Sequence, residues 1–418
     1  MLPSEFRRPL IAVGLGLSAL GIAAQPSSAA PALSYPQLLV QAQSAAPRLA
    51  EAQAGVARAE GLARQAALVP NPSLTVDLEN FSGSGPFQGT TQAEATYSLQ
   101  QTLELGGKRA ARVAVGRSEV AAAQARANRT QVDFAFDLAM AYAEAEAAQR
   151  RFKLASDVLG LTEEDARIST ALVEAGREAD LRRIQAQAAV EAARASLAEA
   201  RAAQETALAN LTSLSGSQTP IDSIEASLLD SGGAAATSTD AVSTLGVIAA
   251  DAEKAAAERQ LMLERRKAIP DVDVSVGVRQ FNGDDATALV AGLSVPLPLF
   301  NRNQGAVAAA RADVSAAEAR ANAALLEAQG AIRSSTARVA ASEARLTAAN
   351  QGEGAAQEAY RLARIGYEAG KLPLVELVNA RRALAEARAQ SIAAAVERAG
   401  ARAAQARLGG YAAPGGQQ

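Results

Sequence analysis

Ser73-Leu74-Thr75-Val76-Asp77-Leu78-Glu79-Asn80 alternates between apolar and polar side chains, and Asp271-Val272-Asp273-Val274-Ser275-Val276-Gly277-Val278-Arg279 does so again. A period of two places Leu74, Val76 and Leu78 on one face of a strand and Thr75, Asp77 and Glu79 on the other. Each run follows a helix-forming stretch closed by proline, Ala67-Leu68-Val69-Pro70 and Lys267-Ala268-Ile269-Pro270, at an offset of 200. Each leads through a turn, Ser82-Gly83-Ser84-Gly85-Pro86 or Asn282-Gly283-Asp284, into a second alternating run, Ala93 to Leu103 or about Thr287 to Val295. Strands of the length of a tilted barrel span, each with a clean polar face, suggest one face in lipid and one on water.

Outward from these hairpins the chain reads as helix. Ser34-Tyr35-Pro36-Gln37 is a capping-box pattern, and Ser44 followed by Pro47 marks a second start, with helix expected from Arg48 to Val69. There is no proline between Pro86 and Pro220, and Pro373 is the lone one between Pro298 and Pro414. Interior proline breaks helices, so these gaps permit very long ones. Lys108 to about Ala175 could be a single helix of ~100 Å. Phe134, Leu138, Ala141, Ala145, Ala148, Phe152, Ala155 and Leu159 form a 4-3 seam of mostly small residues along it. An antiparallel return from about Glu178 to Leu214 supplies the partner. Gln304 to Tyr367 is a second long helix, with Leu325, Ile332, Val339 and Leu346 seven apart.

Leu297-Pro298-Leu299 stands where Leu103-Glu104-Leu105 did, at an offset of 194, and Glu368-Ala369-Gly370 repeats Glu174-Ala175-Gly176 at the same offset. Landmarks in one order with matched element lengths indicate an internal tandem duplication. The expected division is a signal over 1–32, a first repeat over 33–214, a Gly/Ser/Thr/Ala-rich linker over 215–240, a second repeat over 241–408 and a flexible tail over 409–418. Each repeat runs helix, strand, strand, long helix, returning helix. Four strands cannot close a membrane barrel, whose smallest examples have eight, and open edges are not tolerated in lipid. A homotrimer sharing twelve strands satisfies both conditions, with helices far longer than a bilayer projecting into water.

Composition narrows the chemistry. The 418 residues include no Cys, His or Trp, which excludes zinc fingers, haem, iron–sulfur clusters, disulfides and His- or Cys-based catalysis. No motif couples a nucleophile to a base, so no enzyme activity and no cofactor are expected. Forty-one Lys+Arg against 44 Asp+Glu give a net charge of −3 and no electrostatic footprint for nucleic acid. About a quarter of the residues are Ala and 3% are aromatic, which suits closely packed helices better than a large-residue core. Arg7 and Arg8 before the apolar run Leu10 to Ala24 read as an export signal, with cleavage near Ala30-Pro31-Ala32 or Ser28-Ala29-Ala30.

The segments Leu103-Glu104-Leu105-Gly106-Gly107-Lys108-Arg109 and Val295-Pro296-Leu297-Pro298-Leu299-Phe300-Asn301-Arg302-Asn303-Gln304-Gly305 resemble the strand-to-helix junctions of the TolC-type outer-membrane efflux family, in wording closest to its CzcC-like cobalt/zinc/cadmium branch. The resemblance covers about Leu33 to Leu408. It implies an α+β, mainly α fold: a trimeric outer-membrane β-barrel continued by a long α-helical coiled-coil tunnel in the periplasm of a Gram-negative bacterium. It implies docking to a periplasmic membrane-fusion adaptor and an inner-membrane RND pump, with divalent heavy-metal cations as cargo. A drug, solvent or type I secretion duct of the same fold remains an alternative, as does a soluble periplasmic coiled-coil scaffold.

Carried over by the resemblance, Gly176, Glu178 and Asp180 with Gly370 and Lys371 are the tunnel tips and adaptor contacts, and Glu376 and Asn379 line the channel aperture. Relatives carry acidic residues at both aperture positions, so Asn379 leaves one carboxylate ring instead of two. The plainer readings are helix C-caps for Gly176 and Gly370 and a solvated charge for Glu376. Gly106, Gly107, Lys108, Arg109, Pro298, Asn301 and Arg302 form the barrel–tunnel junction. Lys108, Arg109 and Arg302 are expected to begin the long helices, an unfavourable end for cations. Hydrogen bonds at the junction or anionic headgroups would account for them. Asp77, Glu79, Asp271 and Asp273 are expected to face the lumen. The missing His and Cys fit a passive conduit that must release its cargo, and fit a drug conduit equally well.

Overall fold

The structure, a computed structural model, describes residues 30–231 and 240–411. The chain opens with β1 (Ala30–Ala32) and α1 (Tyr35–Ala45). At the start of α1 the Gln37 side-chain Oε1 accepts from the Ser34 N–H at 3.2 Å and from its hydroxyl at 2.8 Å. Helix α2 (Pro47–Ala66) is entered through Ala46, not Ser44. The Ser44 hydroxyl instead donates to Gln41 O within α1, because the break falls at the Ala46–Pro47 bond, where proline excludes the preceding residue from helix. The expected end at Val69 likewise moves back to Ala66.

There follow β2 (Ser73–Glu79), β3 (Glu94–Leu103), α3 (Lys108–Glu174), α4 (Asp180–Ser215) and β4 (Ile221–Ile224), then α5 (Leu245–Lys267), β5 (Val272–Phe281), β6 (Ala286–Ser294), α6 (Gln304–Glu368) and α7 (Leu374–Leu408). With 67 and 65 residues, α3 and α6 each run about 100 Å. Helix α3 packs against α2, α4, α5 and α7, and α6 against α5 and α7. Both halves thus pass through helix, strand, strand, long helix and returning helix in the same order.

The four long strands form one antiparallel sheet in the order β2-β3-β5-β6. Its register places Val76, Tyr97 and Val278 side by side, with Leu289 opposite Val278. On the other face Asp77 lies beside Thr96, Thr96 beside Arg279 and Arg279 beside Ala288. Each strand keeps its phase, so the sheet has one apolar and one mostly polar face. The apolar face is bare within this chain: Leu74 is 71% exposed, Leu289 84% and Leu293 70%. Strands β2 and β6 are its edges.

The core lies midway along the helices. Tyr35, Leu38, Phe134, Leu138, Tyr142 and Leu211 are almost fully buried, each apolar side chain contributing about 1.5–3 kcal/mol. The α3 seam is buried at Phe134, Leu138, Ala145 and Ala148, and partly exposed at Ala141 and from Phe152 to Leu159. Tyr35 and Tyr142 meet edge to face at 6.2 Å, and their hydroxyls donate to Ala135 O at 3.0 Å and Ala226 O at 2.6 Å.

The expected linker over 215–240 is not plain linker. Its β4 pairs in parallel with β1, and Ile221, Ile224 and Leu229 are buried. Short apolar residues spaced among Ser, Thr and Gly hid this packing in the sequence. Of the expected signal, residues 1–29 lie outside the described residues, while 30–32 form β1. Of the expected tail, 412–418 lie outside them, and Tyr411 N–H closes on Ala406 O at 3.0 Å.

Candidate functional site

Sheet and helices meet in a junction built from the ends of α2, β3, α3 and the loop after α5. Gly106 and Gly107 both have positive φ (68° and 73°), and a Cβ on Gly106 would collide with the Ile269 side chain. The turn brings the α3 N-terminus beside the α2 C-terminus, where unpaired carbonyls need donors. Arg109 Nε donates to Ala67 O at 2.8 Å, and Arg112 reaches Ala66 O and Leu68 O. Arg112 also forms a two-pronged ion pair with Glu104, which holds its guanidinium pKa above the usual value. Lys108, nearly buried, pairs with Asp271 at 2.8 Å. Cations that the α3 dipole disfavours are thus offset by a carboxylate and by the α2 carbonyls.

The second junction is built differently, and one expectation is corrected there. Arg302 does not begin a helix: Asn303, at φ 61°, precedes α6, which starts at Gln304. The loop from β6 carries two prolines and is longer than the one from β3, so the offset read from Leu103 and Leu297 fails by two residues at the helix start. Arg302 Nε donates to Pro298 O at 3.1 Å, and Asn301 Oδ1 accepts from Asn303 N at 3.0 Å. Asn303 Nδ2 donates to both Glu264 O and Glu264 Oε2 at 2.8 Å. Glu264 also accepts from Lys267 and Gln260, each at 2.7 Å, and these bonds, led by Lys267, hold its carboxyl below the usual range.

On the polar face of the sheet the four singled-out carboxylates have different fates. Glu79 pairs with Arg279 at 2.7 Å, and Arg279 also reaches Glu94 at 3.2 Å and Thr96 Oγ1 at 2.9 Å. Asp273 accepts from Thr102 Oγ1 at 2.5 Å. Asp271 precedes β5 and serves the junction, accepting from Leu105 N at 3.2 Å as well as pairing with Lys108. Among the described residues Asp77 has no ion pair. Arg279 was legible as the polar end of the β5 alternation, but its pairing across three strands required the register.

The helical tips are near copies of one another. At Gly176 (φ 68°) the chain leaves α3 with Gly176 N–H on Val173 O and Arg177 N–H on Leu172 O, both at 2.9 Å. At Gly370 (φ 68°) the bonds are Gly370 N–H to Tyr367 O at 2.9 Å and Lys371 N–H to Gly366 O at 2.8 Å. Both are Schellman closures. Asp180 pairs with Arg183 in its own first turn at 2.7 Å. Glu178 and Lys371 are exposed, and among the described residues of this chain no ion pair joins them to each other or to Asp180. Glu376, in the first turn of α7, and Asn379 one turn on are both exposed and share a face.

Sequence reasoning missed two clusters above the tips. Asp165 of α3 and Arg381 of α7 pair at 2.6 Å, each 12% exposed, and Arg381 also donates to Leu161 O at 2.7 Å and lies 5.7 Å from the Tyr360 ring centre. Burial pushes the Asp165 carboxyl up despite the guanidinium. Higher on α3, buried Glu146 accepts from Leu228 N at 2.8 Å, Leu229 N at 3.0 Å, Ser227 Oγ at 2.6 Å and Arg150 at 2.7 Å, which pins the segment between the halves. Burial, with Glu146 beside it, pushes the Tyr142 phenol up to about 12. A charge inside an Ala-rich seam was the available signal for both.

Residues 38–217 and 245–410 match the sequence profile of the outer membrane efflux protein family. The chain belongs to that family. It is 42% identical over 315 residues to the nickel-cobalt-cadmium resistance protein NccC of Alcaligenes xylosoxydans xylosoxydans, covering 74% of this chain and 70% of the relative. It is 42% identical over 285 residues to the nickel and cobalt resistance protein CnrC of Cupriavidus metallidurans, covering 68% of each. The cobalt-zinc-cadmium resistance protein CzcC of the same organism is 28% identical over 339 residues, 79% of this chain and 78% of the relative. Among solved structures, the Campylobacter jejuni outer membrane channel CmeC aligns with TM-score 0.78 at 14% identity, over 99% of this chain and 96% of that one. The Vibrio cholerae outer membrane protein VceC aligns at 0.71 and 21%, over 90% and 96%. These likenesses carry the fold: the chain has the TolC-like outer-membrane channel architecture. Among the described residues no helix is long and apolar enough to cross a membrane.

Proposed function

We propose that the chain is the outer-membrane exit duct of a tripartite exporter of divalent heavy-metal cations, nickel and cobalt foremost, with cadmium. The observation that carries the duct is the sheet: a bare apolar face backed by a polar one, continuous with helices of about 100 Å. The names of the relatives at 42% identity move the cargo from cobalt, zinc and cadmium toward nickel and cobalt. The free edges of β2 and β6 are completed by two further copies, giving a twelve-stranded barrel. Tandem duplication accounts for the two matched halves. The long helices form the periplasmic tunnel, whose tips at Gly176, Glu178, Asp180, Gly370 and Lys371 meet a membrane-fusion adaptor beneath which an RND pump supplies energy and selectivity. Glu376 forms a single carboxylate ring at the mouth, flanked by Asn379.

A clean deletion strain, complemented by wild type, tests this across graded nickel, cobalt, cadmium and zinc alongside dyes, detergents and antibiotics. Sensitivity confined to metals supports the reading. Sensitivity confined to organic compounds would leave a duct and remove its metal cargo.

A further inference from the structure

The main contacts between the two halves of the chain run one way. Strand β3 and helix α3 of the first half pack against β5, α5 and α7 of the second. The complementary surfaces, β6 with α6 on one side and β2 with α2 and α4 on the other, are left over for further copies. Head-to-tail addition then repeats the internal groove, so a closed ring alternates grooves within a chain with seams between chains. Near the tips the halves correspond at an offset of 194, Gly176 to Gly370 and Asp180, the first residue of α4, to Leu374, the first of α7. Each residue of the internal groove thereby names its counterpart at the seam.

The internal groove is latched. Asp165 of α3 and Arg381 of α7, equally far from Gly176 and Gly370 at about 16 Å along their helices, form a nearly buried ion pair across it. Beside them Ile168 of α3 packs on the α6–α7 cluster of Ala363, Leu374 and Leu377. At the seam the same positions hold other residues. Ala359 on α6 stands for Asp165 and Gln187 on α4 for Arg381, both exposed and neither able to form an ion pair. Leu362 stands for Ile168, but the hairpin it meets carries Asp180 and Arg183 in place of Leu374 and Leu377, and these two pair with each other at 2.7 Å. Leu362 and Ile184, the counterpart of Val378, are 54% and 55% exposed in a single chain, and the next copy covers both.

We propose that the tunnel dilates at the seams between copies, α6 of one against α4 of the next, while the two hairpins of each chain stay latched by Asp165 and Arg381 and move as one body. Grooves that hold a shielded ion pair and an apolar cluster resist separation, and seams that hold Ala359, Gln187 and a polar tip part first. This rests on the reading of the chain as one third of a trimeric duct.

The chain contains no Cys, so paired substitutions give defined crosslinks in the full-length protein. Asp165→Cys with Arg381→Cys spans the internal groove, and Ala359→Cys with Gln187→Cys spans the seam at the matching positions. Each pair is produced in the deletion strain and treated with a short bifunctional methanethiosulfonate, whose links a reductant reverses. Growth is read against whichever compound the wild type restores tolerance to. The first pair should link within single chains and keep tolerance, and the second should link chains into a covalent trimer and lose tolerance until reduced. Loss of tolerance on linking the first pair, regained on reduction, would overturn the proposal, because the internal groove would then have to open. A seam link that leaves tolerance intact would overturn it too, as would a trimer in which the seam pair forms no link. A wild type that restores no tolerance and stays monomeric would remove the duct reading itself. Ala359→Asp with Gln187→Arg carries the latch to the seam and leaves the internal one untouched. Tolerance should be lost at normal trimer levels, and wild-type tolerance would show that the seam is not the moving part.

Discussion

Gly107 and Asn303, 196 positions apart, occupy the same left-handed conformation, φ 73° and ψ 24° against φ 61° and ψ 21°, each immediately before a helix of more than 60 residues. Both residues turn the chain from the loop after a strand into a long helix, but they meet the conformation differently. Gly107 does so without a side chain. Asn303 uses its amide to bind Glu264 at the end of the preceding helix.

Substitution should separate the two solutions. Gly107→Val forces a β-branched residue into the left-handed region and is expected to cost about 1–3 kcal/mol, whereas Gly107→Asn should cost less. Asn303→Gly keeps the backbone but loses the bonds to Glu264, with an expected loss of about 1–3 kcal/mol. Thermal unfolding of the purified proteins measures each. Equal losses for Gly107→Val and Gly107→Asn would contradict the conformational account.

Glu264 makes that junction dependent on pH. Its bonds to Lys267, Asn303 and Gln260 depress the folded-state pKa, so its stabilisation is fully present above the unfolded value near 4.3 and is lost as pH falls through the lower folded value. Glu264→Gln should therefore melt below wild type at pH 7, and the gap should narrow as pH drops beneath about 4. A gap constant from pH 7 to pH 3 would show that the charge of Glu264 is irrelevant.

Much of this architecture was legible in the sequence, and the reasons differ by element. The strands were readable because both faces impose a period of two, and α3 because the chain from Lys108 to Glu174 lacks proline. The tips were readable because Schellman closure asks for glycine. The start of α6 at Gln304 was legible too, whereas Arg302, matched by the offset of 194 to Lys108, falls two residues before it because the loop after β6 is the longer one. Packing of Ile221, Ile224 and Leu229 stayed hidden because their backbone N–H groups are taken up by side chains of α4 and α3, Thr212 for Ile221, Gln149 for Ile224 and Glu146 for Leu229, which no local pattern announces.

That dependence is testable. Glu146→Ala removes the acceptor for the Leu228 and Leu229 N–H groups and leaves them unsatisfied at about 1–3 kcal/mol each. The expected result is faster amide hydrogen exchange over residues 226–231, with little change at the tips. Unchanged exchange there would mean that β4 and Leu229 hold the segment alone.

The Asp165–Arg381 pair calls for a double-mutant cycle. Removing Asp165 alone leaves a guanidinium almost buried without its counter-charge, a loss of about 3–5 kcal/mol. Asp165→Leu with Arg381→Met replaces both charges with apolar volume and should lose less than either single change. A double variant as unstable as the sum of the singles would place the stabilisation in the contacts of Arg381 with Leu161 O and Tyr360.

Glu376 separates charge at the mouth from stability of the fold. It is exposed in the first turn of α7 and, among the described residues, has no ion pair, so its structural contribution reduces to a favourable position at a helix N-terminus, about 0.3–1 kcal/mol. Glu376→Gln should therefore fold and assemble normally. In planar bilayers it should lower the preference for cations over anions, because three carboxylates leave the proposed aperture together. Asn379→Asp, on the same face one turn away, adds three and should raise it. The two variants move a ring of charge in opposite directions on an unchanged backbone, so opposite shifts in selectivity can come only from charge near the permeation path. Selectivity equal to wild type in both would place these residues away from the aperture.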